Sequence, residues 1–184
     1  MGNVLALFDS ASGNTAEMAK YVGKGAETVE STIVRVRNVD VGTKDDLMWC
    51  HGIAVGSPTN MGTVSWKLKK FFDEDIGSAW GHVDGKFGCA FSTAGGIGGG
   101  AELTCQTITH MLINFGLFVF GLPDYVDKLH TLHYGAVVAN APREKHDKLS
   151  CERLGQRLAE WVSVFIDGRS ENHPLRTRTT ILPE

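Results

Sequence analysis

Three short stretches of this chain gather the residue types that bind anions and flat polar ligands. The first is Ser10-Ala11-Ser12-Gly13-Asn14-Thr15, which runs straight into a segment of good helix formers. A helix N-terminus carries unpaired N–H groups and the positive end of the helix dipole. The hydroxyls of Ser10, Ser12 and Thr15, the Asn14 amide and a close-approaching Gly13 would complete a cradle for a phosphate monoester. No GxxxxGK spacing is present, so ATP or GTP chemistry is not expected. The same residues also make an ordinary N-cap, and this loop alone leaves both readings open. The second stretch is Gly56-Ser57-Pro58-Thr59-Asn60-Met61-Gly62, where Pro58 fixes the chain direction and Thr59 and the backbone amides offer donors. It reads equally as a proline turn between strand and helix. The third is Ser92-Thr93-Ala94-Gly95-Gly96-Ile97-Gly98-Gly99-Gly100. Its Gly96-x-Gly98-x-x-Ala101 run loosely matches a dinucleotide fingerprint. That fingerprint belongs after the first strand and needs an acid about 20 residues on, where this chain has Gly116.

The segments that must position these loops alternate between strand and helix. Val4–Phe8, Ile53–Val55, Phe87–Phe91 and Leu117–Phe120 are short apolar runs bounded by turn residues, which read as strands buried on both faces. Thr32–Val36 alternates apolar and charged residues and reads as a strand near a sheet edge. Helices are expected over Thr15–Val22, Ser65–Phe72, Glu102–Phe115 and Leu149–Phe165, with one helical turn at Lys44–Met48. The last long helix places Leu154, Leu158, Trp161, Val162 and Phe165 on one face. Strands alternating with helices predict an α/β fold with a parallel sheet covered on both faces. Ligands of such sheets sit at the carboxyl ends of the strands, near a topological switch point. The three loops follow strands one, three and four, so they predict one composite site. Residues 1–168 are expected to form one domain and residues 169–184 an extended arm or disordered tail. The stretch Gly121–Tyr134 reads as a long, functional loop.

Composition removes several classes. The chain has 184 residues, 42% of them apolar, and a net charge of −3. That charge is no electrostatic footprint for nucleic acid. No apolar run approaches the ~20 residues of a membrane span. Met1-Gly2-Asn3-Val4 does not open a signal peptide, so a cytoplasmic protein with reduced thiols is expected. Cys50, Cys89, Cys105 and Cys151 have no zinc spacing. Cys89 and Cys105, in a strand and a helix, read as buried thiols. His130-x-x-His133 lacks a third ligand nearby in sequence and reads as surface histidines, so no metal is expected. Trp66, Phe71 and Phe72 read as packing against the sheet.

The Ser-x-Ser-Gly-Asn-Thr pattern after a first buried strand resembles the FMN-phosphate loop of flavodoxin-like proteins. The second loop resembles the Gly-x-Pro-Thr-x-x-Gly loop of the tryptophan-repressor-binding-protein-like (WrbA-type) NAD(P)H:quinone oxidoreductases. The third resembles their Ser-Thr-Gly-rich loop, and Tyr134-Gly135-Ala136 their Tyr-Gly-Ala segment. The likeness covers the chain to about Phe165. It implies a flavodoxin-like, doubly wound, five-stranded parallel sheet of order 2-1-3-4-5. It also implies FMN held by Ser10, Ser12, Gly13, Asn14 and Thr15, by Pro58, Thr59, Asn60, Met61 and Gly62, and by Ser92, Thr93, Ala94, Gly95 and Gly98. Trp80 falls where that family carries a tryptophan at the edge of the flavin pocket. Phe115 stands where it carries a histidine that shapes the quinone pocket. His133 is a candidate proton donor to a reduced quinone. The resemblance implies an oxidoreductase in which NADH or NADPH reduces FMN and a quinone takes two electrons, with the flavin and no protein side chain carrying the chemistry. Homodimers or homotetramers with pockets completed across subunits go with it. Two alternatives stand beside the enzyme: a flavodoxin-type electron carrier that docks protein partners, and a non-catalytic FMN-binding regulatory protein. The weak net charge favours the enzyme, because carriers use a strong acidic field for encounter.

Overall fold

The structure is a computed structural model that describes residues 1–177 and 181. Strands β1 (Gly2–Phe8), β2 (Thr32–Asn38), β3 (Gly52–Pro58), β4 (Phe87–Ala94) and β5 (Phe118–Val119) form a parallel sheet of order β2-β1-β3-β4-β5. This is the flavodoxin-like arrangement expected from the sequence. Helices α1 (Asn14–Glu27), α2 (Lys44–Trp49), α3 (Trp66–Lys70), α4 (Ala101–Asn114) and α5 (Lys145–Ile166) connect and cover it, and α6 (Pro174–Thr177) follows. Phe71–Asp75 continues α3 as a wider π turn. No helix of the described residues is long and apolar enough to cross a membrane.

Alternation along each strand divides the core into two layers. Val4, Ala6, Phe8, Ala54, Cys89 and Phe91 face α1 and α5, while Leu5, Leu7, Ile53, Val55 and Ala90 face α3 and α4. The α1–α5 layer is close-packed through glycine. A Cβ on Gly25 would collide with the Glu152 carbonyl, and one on Gly155 with the Val22 carbonyl. The two helices therefore touch backbone to backbone at two reciprocal points. Strand β2 is half-buried along most of its length, as its charge alternation predicts. Its Arg35 guanidinium lies 3.9 Å from the Trp49 ring and 3.0 Å from Asp46.

Three expectations need correction. The fifth strand is not continuous. Phe87 pairs with Phe118, but Phe91 pairs with Ala136, the first residue of β8 (Ala136–Ala139). The chain between them leaves the sheet edge and folds as an antiparallel hairpin, β6 (Leu122–Asp127) with β7 (His130–Leu132), not as a long loop. A buried ion cluster fastens this hairpin to α5. Arg153 Nε donates to Asp124 Oδ2 at 2.8 Å, and Arg157 Nε donates to Glu160 Oε2 at 2.8 Å. Burial pushes the Glu160 carboxyl up, against the opposing pull of Arg157. The last helix also begins earlier than expected, at Lys145, because Glu144 and Asp147 form a capping box. Finally, the arm after Gly168 is helical at Ser170–Asn172 and Pro174–Thr177 rather than extended. The rest of that expectation, residues 178–180 and 182–184, lies outside the described residues.

All four cysteines are free and buried. Burial pushes the Cys50 thiol up to about 12 and raises Cys89, Cys105 and Cys151 as well. The thiolate, the reactive form, is thereby suppressed.

Replacing a helical glycine with alanine ordinarily stabilises by about 0.5–1 kcal/mol. At Gly155 the sign should reverse, because the new methyl meets a backbone carbonyl that cannot swing aside. Gly155→Ala is expected to lower stability by about 1–3 kcal/mol in urea unfolding; a gain would show that α1 and α5 can separate at little cost.

Candidate functional site

The carboxyl ends of β1, β3 and β4 carry the three loops to one edge of the sheet, and side-chain hydroxyls join them. Thr59 N donates to Thr93 O at 2.7 Å. Thr59 Oγ1 lies 3.2 Å from Ser92 Oγ and accepts from Thr104 Oγ1 at 3.0 Å. Ser92 Oγ in turn donates to Ser57 O at 2.8 Å. Thr15 Oγ1 and Thr93 Oγ1 are 3.3 Å apart, which ties the start of α1 to the end of β4. Thr15, Ser92 and Thr93 are buried, so these hydroxyls form a satisfied polar floor under the site. Thr59, expected to face a ligand, is committed through both its N–H and its hydroxyl to this floor.

Above the floor the loops are open. Gly13, left-handed at φ 89°, stands immediately before helix α1 and has no side chain with which to cap it. Ser10 Oγ instead accepts from Ala16 N at 3.2 Å, and Ser12 is exposed beside this first turn. In the second loop Asn60 and Thr63 exchange backbone hydrogen bonds of 2.8 and 3.1 Å around Met61 and Gly62, both at positive φ. This two-residue turn projects Met61 fully into solvent. Ile97, in the third loop, is almost as exposed. Cβ atoms built on Gly13, Gly62, Gly95, Gly96 and Gly98 would meet nothing within 4 Å. Gly100 approaches the second loop, its Cβ position lying 3.8 Å from Thr59 Cγ2. Pro58 and Asn14 are half-buried at the edges, and Ala94 closes β4 beneath the glycines.

Two of the expected pocket residues, Trp80 and Phe115, stand apart from these loops within this chain. Trp80 Nε1 donates to the Asn114 carbonyl at 2.7 Å, at the carboxyl end of α4. Phe115 is 8% exposed and packs edge-on against Phe72 with centroids 5.6 Å apart. Because α4 runs antiparallel to β4, its last residues lie at the amino ends of the strands, beside the Phe87–Phe118 pairing. Within this chain, Trp80 and Phe115 are therefore at the opposite end of the sheet from the three loops. His133 is exposed in the segment after the hairpin, and its ring contact is edge-on with Tyr125, 5.7 Å between centroids.

Two site residues escaped the sequence reading. Thr104 looks like any helical threonine, yet its hydroxyl completes the floor. Asn140, at φ 63°, follows β8; its N–H donates to Ala94 O at 2.8 Å and its Nδ2 to Gly95 O at 3.2 Å. The strand-end rule would have found it had the second half of the edge strand been recognised.

The floor yields a direct test. Thr104→Val keeps the side-chain shape and removes the donor to Thr59. It should cost about 1 kcal/mol of unfolding free energy; an unchanged urea midpoint would mean that the third loop is held by glycine geometry alone.

The comparisons agree with this arrangement. A family model described as flavodoxin matches residues 7–109. A flavodoxin of Aquifex aeolicus (strain VF5) is 57% identical over 171 residues, covering 93% of this chain and 92% of that protein. An NAD(P)H dehydrogenase (quinone) of Archaeoglobus fulgidus is 30% identical, covering 87% of this chain and 97% of that protein. A solved flavodoxin from the domain Archaea superposes with a TM-score of 0.69 at 28% identity, covering 88% of this chain and 99% of its own. The chain belongs to the flavodoxin family.

Proposed function

We propose that this protein binds FMN across the three loops and works as a flavodoxin-type electron carrier. The observation that carries the reading is the meeting of a glycine-led helix N-terminus with a polar floor and an open glycine rim at one sheet edge. The donor set suits the group: neutral N–H and hydroxyl donors for a phosphate monoester at Ser10–Thr15, and unfilled space over Gly62, Gly95 and Gly98 for a flat ring. Exposed Met61 and Ile97 supply apolar surface that such a ring would cover. FMN, when bound, supplies reversible transfer of one or two electrons. In this reading Ser10, Ser12, Gly13, Asn14 and Thr15 hold the phosphate. Pro58 to Gly62 and Ser92 to Gly98 orient the ring and leave one edge open to a partner. The loops contain no lysine, arginine or histidine, so they present no side chain for a nicotinamide 2′-phosphate and no imidazole to deliver a proton. The relative of highest identity quoted above, a flavodoxin, supports the same choice.

A second reading, an NAD(P)H:quinone oxidoreductase, draws on the relative from Archaeoglobus fulgidus and on the weak net charge. It makes a demand of its own. Trp80 lies at the far end of the sheet, so a pocket using it has to be completed by a neighbouring subunit in a homodimer or homotetramer. In both readings four buried, unreactive thiols suit a reducing cytoplasm.

One experiment separates the two. The FMN-loaded protein is titrated anaerobically with NADH and with NADPH while the visible flavin spectrum is recorded. A carrier should keep its spectrum with either nucleotide and lose it with dithionite. Rapid bleaching by a nucleotide alone, reversed by benzoquinone, would move the assignment to the reductase. In the same preparation Ser12→Ala should weaken FMN binding by about 0.5–3 kcal/mol; unchanged affinity would remove the first loop from the phosphate site.

A further inference from the structure

The tip of the β6–β7 hairpin meets the first turn of α5 through two histidines. His130 ends the hairpin turn and His146 is the second residue of α5. Their rings stack face to face, 3.7 Å between centroids and 21° apart. Both Nδ1 atoms lie near one oxygen, Asp127 Oδ2, at 3.9 Å from His130 and 3.8 Å from His146. These distances are too long for hydrogen bonds. His130 Nδ1 is buried and has no hydrogen-bond partner among the described residues. A buried nitrogen left this way is costly unless something fills the gap.

We propose that Asp127, His130 and His146 bind a divalent first-row transition metal, of which zinc is the type, and that the ion clasps the hairpin to α5. One ligand atom from each residue lies within 4.8 Å of the others. In a tetrahedral site with bonds of about 2.0–2.1 Å, ligand atoms stand roughly 3.3 Å apart, so the site closes once the two rings turn out of their stack to aim both Nδ1 lone pairs at one ion. Two imidazoles and one carboxylate select zinc, cobalt or nickel over magnesium and calcium, which prefer all-oxygen sets. The ligands are also oriented from behind. His146 Nε2 is 3.4 Å from Asp147 Oδ1, an arrangement that leaves Nδ1 as the coordinating lone pair. Asp147 is itself fixed, its Oδ2 accepting from Arg143 N at 3.1 Å and Glu144 N at 3.0 Å. Asp127 is held by the turn, its Oδ1 accepting from Lys128 N at 2.6 Å. A cavity of about 730 Å³ beside the cluster, into which Glu102 and Glu144 also face, gives water or a small anion access to the remaining coordination position. His133, the neighbour of His130 in sequence, turns to Tyr125, and the ring stacked on His130 comes from the next helix.

The test uses the full-length protein stripped with EDTA, with and without FMN, and zinc or cobalt as the probe. Calorimetry should show one zinc per chain, cobalt should develop visible bands of a nitrogen–oxygen site, and zinc should raise the melting temperature where magnesium does not. His130→Gln and His146→Gln should each weaken zinc binding by at least about tenfold and abolish the thermal shift. Asp147→Asn should weaken binding while keeping the stoichiometry. FMN affinity should not change in any of these variants, none of which replaces a residue of the three loops, although the cavity beside the histidines also borders Gly96–Gly99. No saturable zinc binding below about 1 mM would overturn the proposal. So would stoichiometric binding that persists in the His130→Gln/His146→Gln double variant.

Discussion

The position of the site depends on how closely α1 can lie against α5. Helix axes usually stand 8–10 Å apart according to the side chains between them. Here Gly25 and Gly155 remove those side chains at the two crossing points, and each helix seats a carbonyl of the other. The sheet beneath is shaved in the same way. Gly52 lies under Val162 and Leu158, Gly23 against Val36, and Ala6 and Ala54 occupy the strands between. A thin layer of this kind has little freedom to slide. Helix α1 is therefore fixed along its axis, and its first turn is fixed relative to β4. The opposite layer is built differently, from Leu5, Leu7, Ile53, Phe71 and Phe72, and its helices stand off on bulky side chains.

A site that binds by backbone donors needs this rigidity, because donors on a loose loop spend binding energy on being ordered. The hydroxyl floor extends the constraint from helices to loops. Thr15, Ser92, Thr93, Thr59 and Thr104 connect α1, β3, β4 and α4 through short side chains that have few rotamers to lose. Buried hydroxyls are stabilising only when paired, and here each finds a partner. Glycines then form the rim, where the absence of a Cβ leaves room for a ligand. Floor and rim have different chemistry because they have different tasks: the floor fixes geometry, and the rim yields space.

What was legible in the sequence follows the same division. Apolar runs ending in Ser, Thr and Gly announced the strands and their terminal loops, because a strand buried on both faces has few other compositions open to it. The order of alternation then implied a parallel sheet, and a parallel sheet puts all its carboxyl ends on one side. Gly25 and Gly155 were invisible, since a glycine inside a helical pattern gives no sign of what it touches. Thr104 and Asn140 were missed for a related reason, their partners being distant in sequence. Trp80 and Phe115 entered by resemblance; chain direction places a residue that ends α4 at the amino edge of the sheet, so within one chain they stand apart from the loops.

The interrupted edge strand concerns the stability of the sheet as much as its function. An edge strand exposes unpaired backbone groups, and proteins shorten or cover such edges. Here the edge is split into β5 and β8, and the intervening chain folds back over α5 as its own hairpin. A two-stranded hairpin is marginal by itself, so it must be fastened. Asp124, Arg153, Arg157 and Glu160 do this under cover, where their burial makes mispairing costly. Asp124 is fully buried and anchors the middle of β6, whereas the tip carrying Asp127 and His130 lies at the surface. The buried cluster fixes the register of the hairpin on α5, and that register brings His130 over His146. A slip of one residue would turn Asp124 away from Arg153. The charge pair inside the protein and the histidine pair at its surface are two consequences of one alignment.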